Sequence, residues 1–175
     1  VSGKTIGIIG LGEIGTAVAR RAKGFDMNVL YSGPKRYEDK EAELNAEYVT
    51  QDELLKRSDF VTLNCAYNEK LKHMIDYNAI KKMKPTSYLI NASRRPIVYE
   101  EELVKALEEG IIEGAALDVF EFEPQITEAL KSMKNVVITP HIGNATFEAR
   151  DMMADIAASN VVKQLSGEQP NYIVN

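Results

Sequence analysis

The stretch that most constrains this chain is Ile6-Gly7-Ile8-Ile9-Gly10-Leu11-Gly12-Glu13-Ile14-Gly15, an apolar run breaking into three spaced glycines. The run reads as a buried strand, and residues 13–23 read as a helix that Gly24 stops. Strand, glycine-rich turn and helix, in that order, are the setting a dinucleotide-binding loop requires. Gly10 permits the tight turn, Gly12 lets backbone amides approach a pyrophosphate, and Gly15 lets helix and strand pack closely. The start of the helix adds unpaired N–H groups and a partial positive charge for the phosphates.

Beyond this unit, strands alternate with helices. Apolar runs predict strands over 27–31, 47–49, 60–64, 88–91, 114–118 and 136–139. Helices are predicted over 37–44, 52–56, 76–82, 101–109 and 146–165, with an irregular tail over 167–175. This alternation implies an α/β fold with a doubly wound parallel sheet of Rossmann type. The expected division is a dinucleotide-binding domain over 1–150, followed over 151–175 by the rest of the last helix and the tail. A hydrophobic fraction of 45% and a charged fraction of 27% fit one globular core. A net charge of −5 argues against nucleic acid and anionic membrane as partners, and no apolar run reaches membrane-spanning length. The single cysteine, Cys65, excludes an internal disulfide and fits a reducing, cytoplasmic location.

The end of the second strand bears on the choice of cofactor. An NAD site usually carries an acid there for the ribose hydroxyls. Here the first acid is Glu38, and the intervening polar side chains include Ser32, Lys35 and Arg36. A hydroxyl and two cations suit a 2′-phosphate, which a carboxylate would repel, so NADP(H) is expected to be preferred and NAD(H) to be possible.

In such sheets ligands sit beyond the carboxyl ends of the strands. The polar residues there are Asn64, Ser93-Arg94-Arg95, Asp118, Glu123 and His141. A cation, a carboxylate and a histidine are the parts needed to hold a carboxylate substrate and move a proton beside a hydride carrier.

Four segments together resemble the D-isomer-specific 2-hydroxyacid dehydrogenases: Gly-Leu-Gly-Glu-Ile-Gly at 10–15, Ile-Asn-Ala-Ser-Arg at 90–94, Ala-Leu-Asp-Val-Phe-Glu-Phe-Glu-Pro at 116–124 and Thr-Pro-His-Ile-Gly at 139–143. The loop over 32–36 is most similar to that of the NADP-using glyoxylate/hydroxypyruvate reductases. The resemblance implies that Arg94 grips the substrate carboxylate, that His141 is the acid/base and that Glu123 is its paired carboxylate. It also implies that Glu13, Ile14, Cys65, Ala92, Ser93, Arg94, Asp118, His141 and Gly143 lie against the cofactor, with Asp118 accepting from the nicotinamide carboxamide. The substrate would be a small 2-oxo or 2-hydroxy acid, and the full-length protein a homodimer.

The chain departs from the family at three places. Arg95 stands where glycine is usual, Tyr99 replaces the aspartate that caps the next helix, and Asn64-Cys65-Ala66-Tyr67 lacks the usual proline. The family's substrate domain is also missing, so the chain is expected to be a cofactor domain from a longer protein, folded but catalytically silent alone. His73 is expected on a surface turn. Two alternatives stay open: an NAD-dependent D-lactate- or phosphoglycerate-type dehydrogenase, and a nucleotide-sensing binding module of the same fold.

Overall fold

Alternate residues of the first strand face opposite layers, and both layers are apolar. The computed structural model describes residues 1–173 and begins its sheet with β1 (Thr5–Ile9). Ile6 and Ile8 join one buried cluster and Ile9 the other. A strand buried on both faces belongs to the interior of a doubly covered parallel sheet. The elements that follow are α1 (Glu13–Gly24), β2 (Asn28–Ser32), α2 (Glu38–Leu44), β3 (Ala46–Tyr48), α3 (Gln51–Arg57) and β4 (Phe60–Leu63). After them come α4 (Tyr77–Ile80), β5 (Tyr88–Asn91), α5 (Glu100–Glu108), β6 (Gly114–Leu117), α6 (Glu128–Ser132), β7 (Val136–Ile138) and α7 (Phe147–Leu165).

All pairings are parallel, in the order β3-β2-β1-β4-β5-β6-β7. The order reverses at β1 and β4, the switch point where ligands settle in such sheets. Ala19 and Ala22 of α1 and Leu44 of α2 cover one face with Val29 and Tyr31. Leu54 and Leu55 of α3, Ile80 of α4, Leu103 and Ala106 of α5 and Leu130 of α6 cover the other. The cores are thus drawn from both layers of helices, as the alternation in the sequence requires.

Sequence and structure agree on every strand to within a residue or two. The short helix α6 and a 3₁₀ turn at Glu69–Leu71 are additions. The helix expected over 76–82 is shorter: Asp76 caps it through Ala79 N at 2.7 Å, and at its end the bonding passes to i+3 turns, Lys82 N to Ala79 O and Met83 N to Ile80 O. The chain divides into two compact units, Val1–His141 and Ile142–Asn175, so the boundary expected at 150 falls inside the second unit. Within that unit α7 starts at a Thr146 cap on Ala149 N and buries none of its residues. No helix among the described residues is long and apolar enough to cross a membrane.

Candidate active site

The glycine loop shows three separate reasons for glycine. Gly10 has φ +99°, where L side chains are strained, and an added Cβ would lie 2.8 Å from the Cys65 backbone. At Gly15 a Cβ would lie 2.1 Å from the Gly10 carbonyl oxygen, so α1 can approach β1 only with hydrogen at that position. Gly12 is different, because a Cβ there would meet nothing within 4 Å. The fold itself does not need Gly12 to be bare. Its open side lies at the start of α1, whose first turn has no side-chain cap. Room for a ligand over a backbone rich in N–H donors fits the pyrophosphate of a dinucleotide.

This loop forms part of a cleft of about 640 Å³ at the carboxyl ends of β1, β2 and β4. Gly10, Gly12, Ser32, Lys35 and Cys65 line it, joined by Lys70 from the 3₁₀ turn. No Asp or Glu is among its lining residues. Glu13 and Ile14 are exposed on the first turn of α1, Ile14 at 66%. Strand-end hydrogen bonds hold the floor together. Gly10 N donates to Ser32 O at 2.8 Å, Asn64 N to Ile9 O at 2.8 Å and the Ser93 hydroxyl to Cys65 O at 2.5 Å. Ala92 is exposed between buried Asn91 and Ser93.

Arg36 is held elsewhere. Its Nε and Nη2 donate to both carboxylate oxygens of Glu41, each at 2.8 Å, and it does not line the cleft. Glu41 also accepts from the Tyr31 hydroxyl at 2.7 Å, and that hydroxyl accepts from Tyr37 N at 2.8 Å. The hydrogen bond from Arg36, and then that from Tyr31, bring the Glu41 carboxyl down to about 2. Burial, together with Glu41, pushes the Tyr31 phenol up to about 12 against the opposing Tyr37 amide. Lys40, which drew no notice in the sequence, bonds Leu11 O at 3.2 Å and the Thr16 hydroxyl at 3.0 Å, tying α2 to the glycine loop.

Farther along the sheet edge, Glu123 and His141 meet. His141 sits just past β7 with φ +53°, its amide bonded to Thr139 O at 3.0 Å. Its Nδ1 lies 3.1 Å from Glu123 Oε2. The other carboxylate oxygen, Oε1, accepts from Phe120 N at 3.0 Å. Burial works to raise the Glu123 carboxyl, but the Phe120 amide, His141 and Arg95 outweigh it and leave it below the usual carboxylate range. An ionised carboxylate only accepts, so Nδ1 carries the ring proton and Nε2 is left for exchange with another molecule. Asp118, 8% exposed, accepts from the Thr139 hydroxyl at 2.5 Å.

The two arginines of the β5 loop differ in placement. Arg94 is exposed and donates from Nη1 to Ser93 O at 2.8 Å. Arg95 lines a second cleft, of about 400 Å³, with Glu123 and His141, and donates to Glu123 O at 3.2 Å. Gly143 belongs to the second unit.

His73 lies on a partly exposed turn, as the sequence suggests, but it has partners there. Its φ is +54°, its Nε2 lies 2.6 Å from Glu121 Oε1 and its ring stacks on Tyr99 at 4.2 Å. Tyr99 therefore packs where an aspartate would cap, and the Glu121 carboxylate accepts from Glu100 N at 3.4 Å instead. Glu100, 3% exposed, in turn accepts from Glu121 N and the Thr127 hydroxyl. This clasp fastens α5 to the segment that carries Glu123.

A further cleft of about 650 Å³ opens at the amino ends of β1–β3. Its Arg57 and Lys84 are already paired with Glu47 at 2.6 Å and Asp59 at 2.9 Å, and it holds no histidine or cysteine.

Residues 1–143 match the family model for the D-isomer specific 2-hydroxyacid dehydrogenase NAD binding domain. The chain belongs to that family. Among its relatives, a Staphylococcus epidermidis protein provisionally named 2-hydroxyacid dehydrogenase is 66% identical over 175 residues, all of this chain and 55% of the relative. The chain thus spans about half the length of the curated relatives it matches. Among solved structures, a glyoxylate reductase from Paecilomyes thermophila superposes with a TM-score of 0.88 at 38% identity, over 96% of this chain and 51% of that one. D-lactate dehydrogenase from Lactobacillus jensenii, solved with NAD+, gives 0.89 at 29% identity, over 98% and 56%.

Proposed function

We propose that the chain is the cofactor-binding half of a reductase that converts small 2-oxo acids, of the glyoxylate or hydroxypyruvate type, to D-2-hydroxy acids, with NADPH preferred. The observation that carries this reading is the contact of His141 Nδ1 with Glu123 Oε2 at 3.1 Å, which turns Nε2 away from the carboxylate, where it donates when the ring is an imidazolium and accepts when it is neutral. What a nicotinamide dinucleotide supplies when bound is a hydride for the 2-oxo carbon. The planar fork of Arg94 grips the substrate carboxylate and fixes its orientation. His141 gives its Nε2 proton to the carbonyl oxygen, and Glu123 stabilises the imidazolium that exists before that transfer. The Asp118 carboxylate, steadied by the Thr139 hydroxyl, is the acceptor assigned to the carboxamide.

The preference for NADPH is supported by a cofactor cleft that is lined by Lys35 and Lys70 and by no carboxylate. A second reading, an NAD-dependent dehydrogenase, draws support from the Arg36–Glu41 pair, which withholds one expected cation, and from the relative solved with NAD+.

The test pairs calorimetry with turnover. Lysine contacts to a phosphate are charge-assisted, each worth roughly 1.5–3 kcal/mol, so NADPH should bind about tenfold or more tightly than NADH. In the full-length protein His141→Gln should leave that binding in place and lower turnover on 2-oxo acids by about 10²–10⁴. Tighter binding of NADH would overturn the cofactor preference. Undiminished turnover would overturn the assigned acid.

A further inference from the structure

The structure places the Arg95 side chain in one cleft wall with Glu123 and His141. We propose that Arg95 is a second anion-binding residue of the reaction site, so that the substrate is a 2-oxo acid with a further negative group, carboxylate or phosphate, at its far end. The inference rests on the reductase reading above and narrows it.

Arg95 lines the same cleft as Glu123 and His141, a space of about 400 Å³. Its neighbours in that wall, Phe120, Pro124, Ile126 and Pro140, are largely apolar. One hydrogen bond, from Nη1 to Glu123 O at 3.2 Å, holds the guanidinium at the wall. The Glu123 carboxylate, bonded to Phe120 N at 3.0 Å and His141 Nδ1 at 3.1 Å, acts on Arg95 only at longer range and makes no ion pair with it. Among the described residues Arg95 has no ion-pair partner. The backbone that carries it is fixed on its far side. Pro96 O accepts from His73 N at 2.8 Å, and Ile97, 0% exposed, accepts from Ile75 N at 3.0 Å. Arg95 is exposed at this wall and without such a partner, so its fork of donors is open to a carboxylate or a phosphate that enters the cleft. A monocarboxylate held by Arg94 leaves Arg95 unanswered. A dianion answers both.

The experiment uses the full-length protein with reduced cofactor and matched pairs of 2-oxo acids. The pairs are 2-oxobutanoate with oxaloacetate, 2-oxopentanoate with 2-oxoglutarate, and hydroxypyruvate with its 3-phosphate; the last separates phosphate from carboxylate. The dianionic member of at least one pair should have the higher kcat/KM. Arg95→Gln should lower the dianion-to-monoanion ratio at least about tenfold, mainly through KM, and Arg95→Lys should restore part of it. Should the glutamine variant fail to fold by circular dichroism, the parent's own preference and the lysine variant decide. Preference for the monoanion in every pair, or an equal loss on both members in Arg95→Gln, overturns the inference and leaves the reductase reading standing. Reduction of no 2-oxo acid at all overturns both.

Discussion

At the scale of single residues, the informative side chains are those whose neighbours hold them in one state. Glu123 is about one-fifth exposed, with the side chain at 19%, yet its carboxyl titrates low because the Phe120 amide, His141 and Arg95 together outweigh the effect of burial. A carboxyl depressed by folding contributes stability that is full above its ordinary value of 4.5 and is lost as pH falls through the lower folded value. Urea midpoints of the parent and Glu123→Gln should therefore differ by a constant amount above about pH 5, and the gap should close below 4.5. A gap that widened on acidification would mean that the carboxyl is raised in the folded protein. The same logic makes Glu41 a silent partner at neutral pH, because its carboxyl stays ionised down to about 2.

At the scale of elements, the β1–loop–α1 unit separates residues that build the fold from one that leaves space for a ligand. Gly15→Ala puts a methyl 2.1 Å from the Gly10 carbonyl, so α1 must shift and stability should fall by roughly 1–3 kcal/mol. Gly12→Ala meets nothing within 4 Å at φ −73° and should cost under about 1 kcal/mol, the difference between glycine and alanine at a helix cap. Its effect should appear in cofactor affinity, read by calorimetry beside a thermal melt. If Gly12→Ala binds as tightly as the parent, no ligand occupies that space. The unit could be read from the sequence because its strand–glycine–helix order is local, although Gly10 also answers to the distant Cys65 backbone. The strand ends were legible for the same reason, as were Glu123 and His141 once four motifs were joined. What escaped was set by pairings between particular side chains, near or far in the chain. Arg36 is diverted by Glu41, His73 is claimed by Glu121 and Tyr99, and Lys40 reaches back to Leu11. No periodicity announces such pairings, because charge and turn preference alone do not say which long side chains will meet.

At the scale of the whole molecule, both apolar cores are drawn from residues between Ile6 and Ile138, within the first unit. That unit therefore carries its own stability, while the relatives' greater length leaves room for the groups that would enclose a substrate. One feature of this arrangement serves as a built-in reporter. Cys65 is the only cysteine in the sequence, and it stands half-buried in the wall of the carboxylate-free cleft, against Gly10. Burial pushes its thiol up, so little thiolate exists at neutral pH and alkylation by iodoacetamide should be slow there. Because the chain offers no second thiol, the mass of the adduct counts molecules whose cleft was open during the pulse. Saturating dinucleotide should slow labelling severalfold, and urea should abolish the protection. A labelling rate indifferent to dinucleotide would place the bound nucleotide elsewhere. A shielded rate would turn one inconspicuous sulfur into an occupancy gauge that needs no engineering and no catalytic turnover.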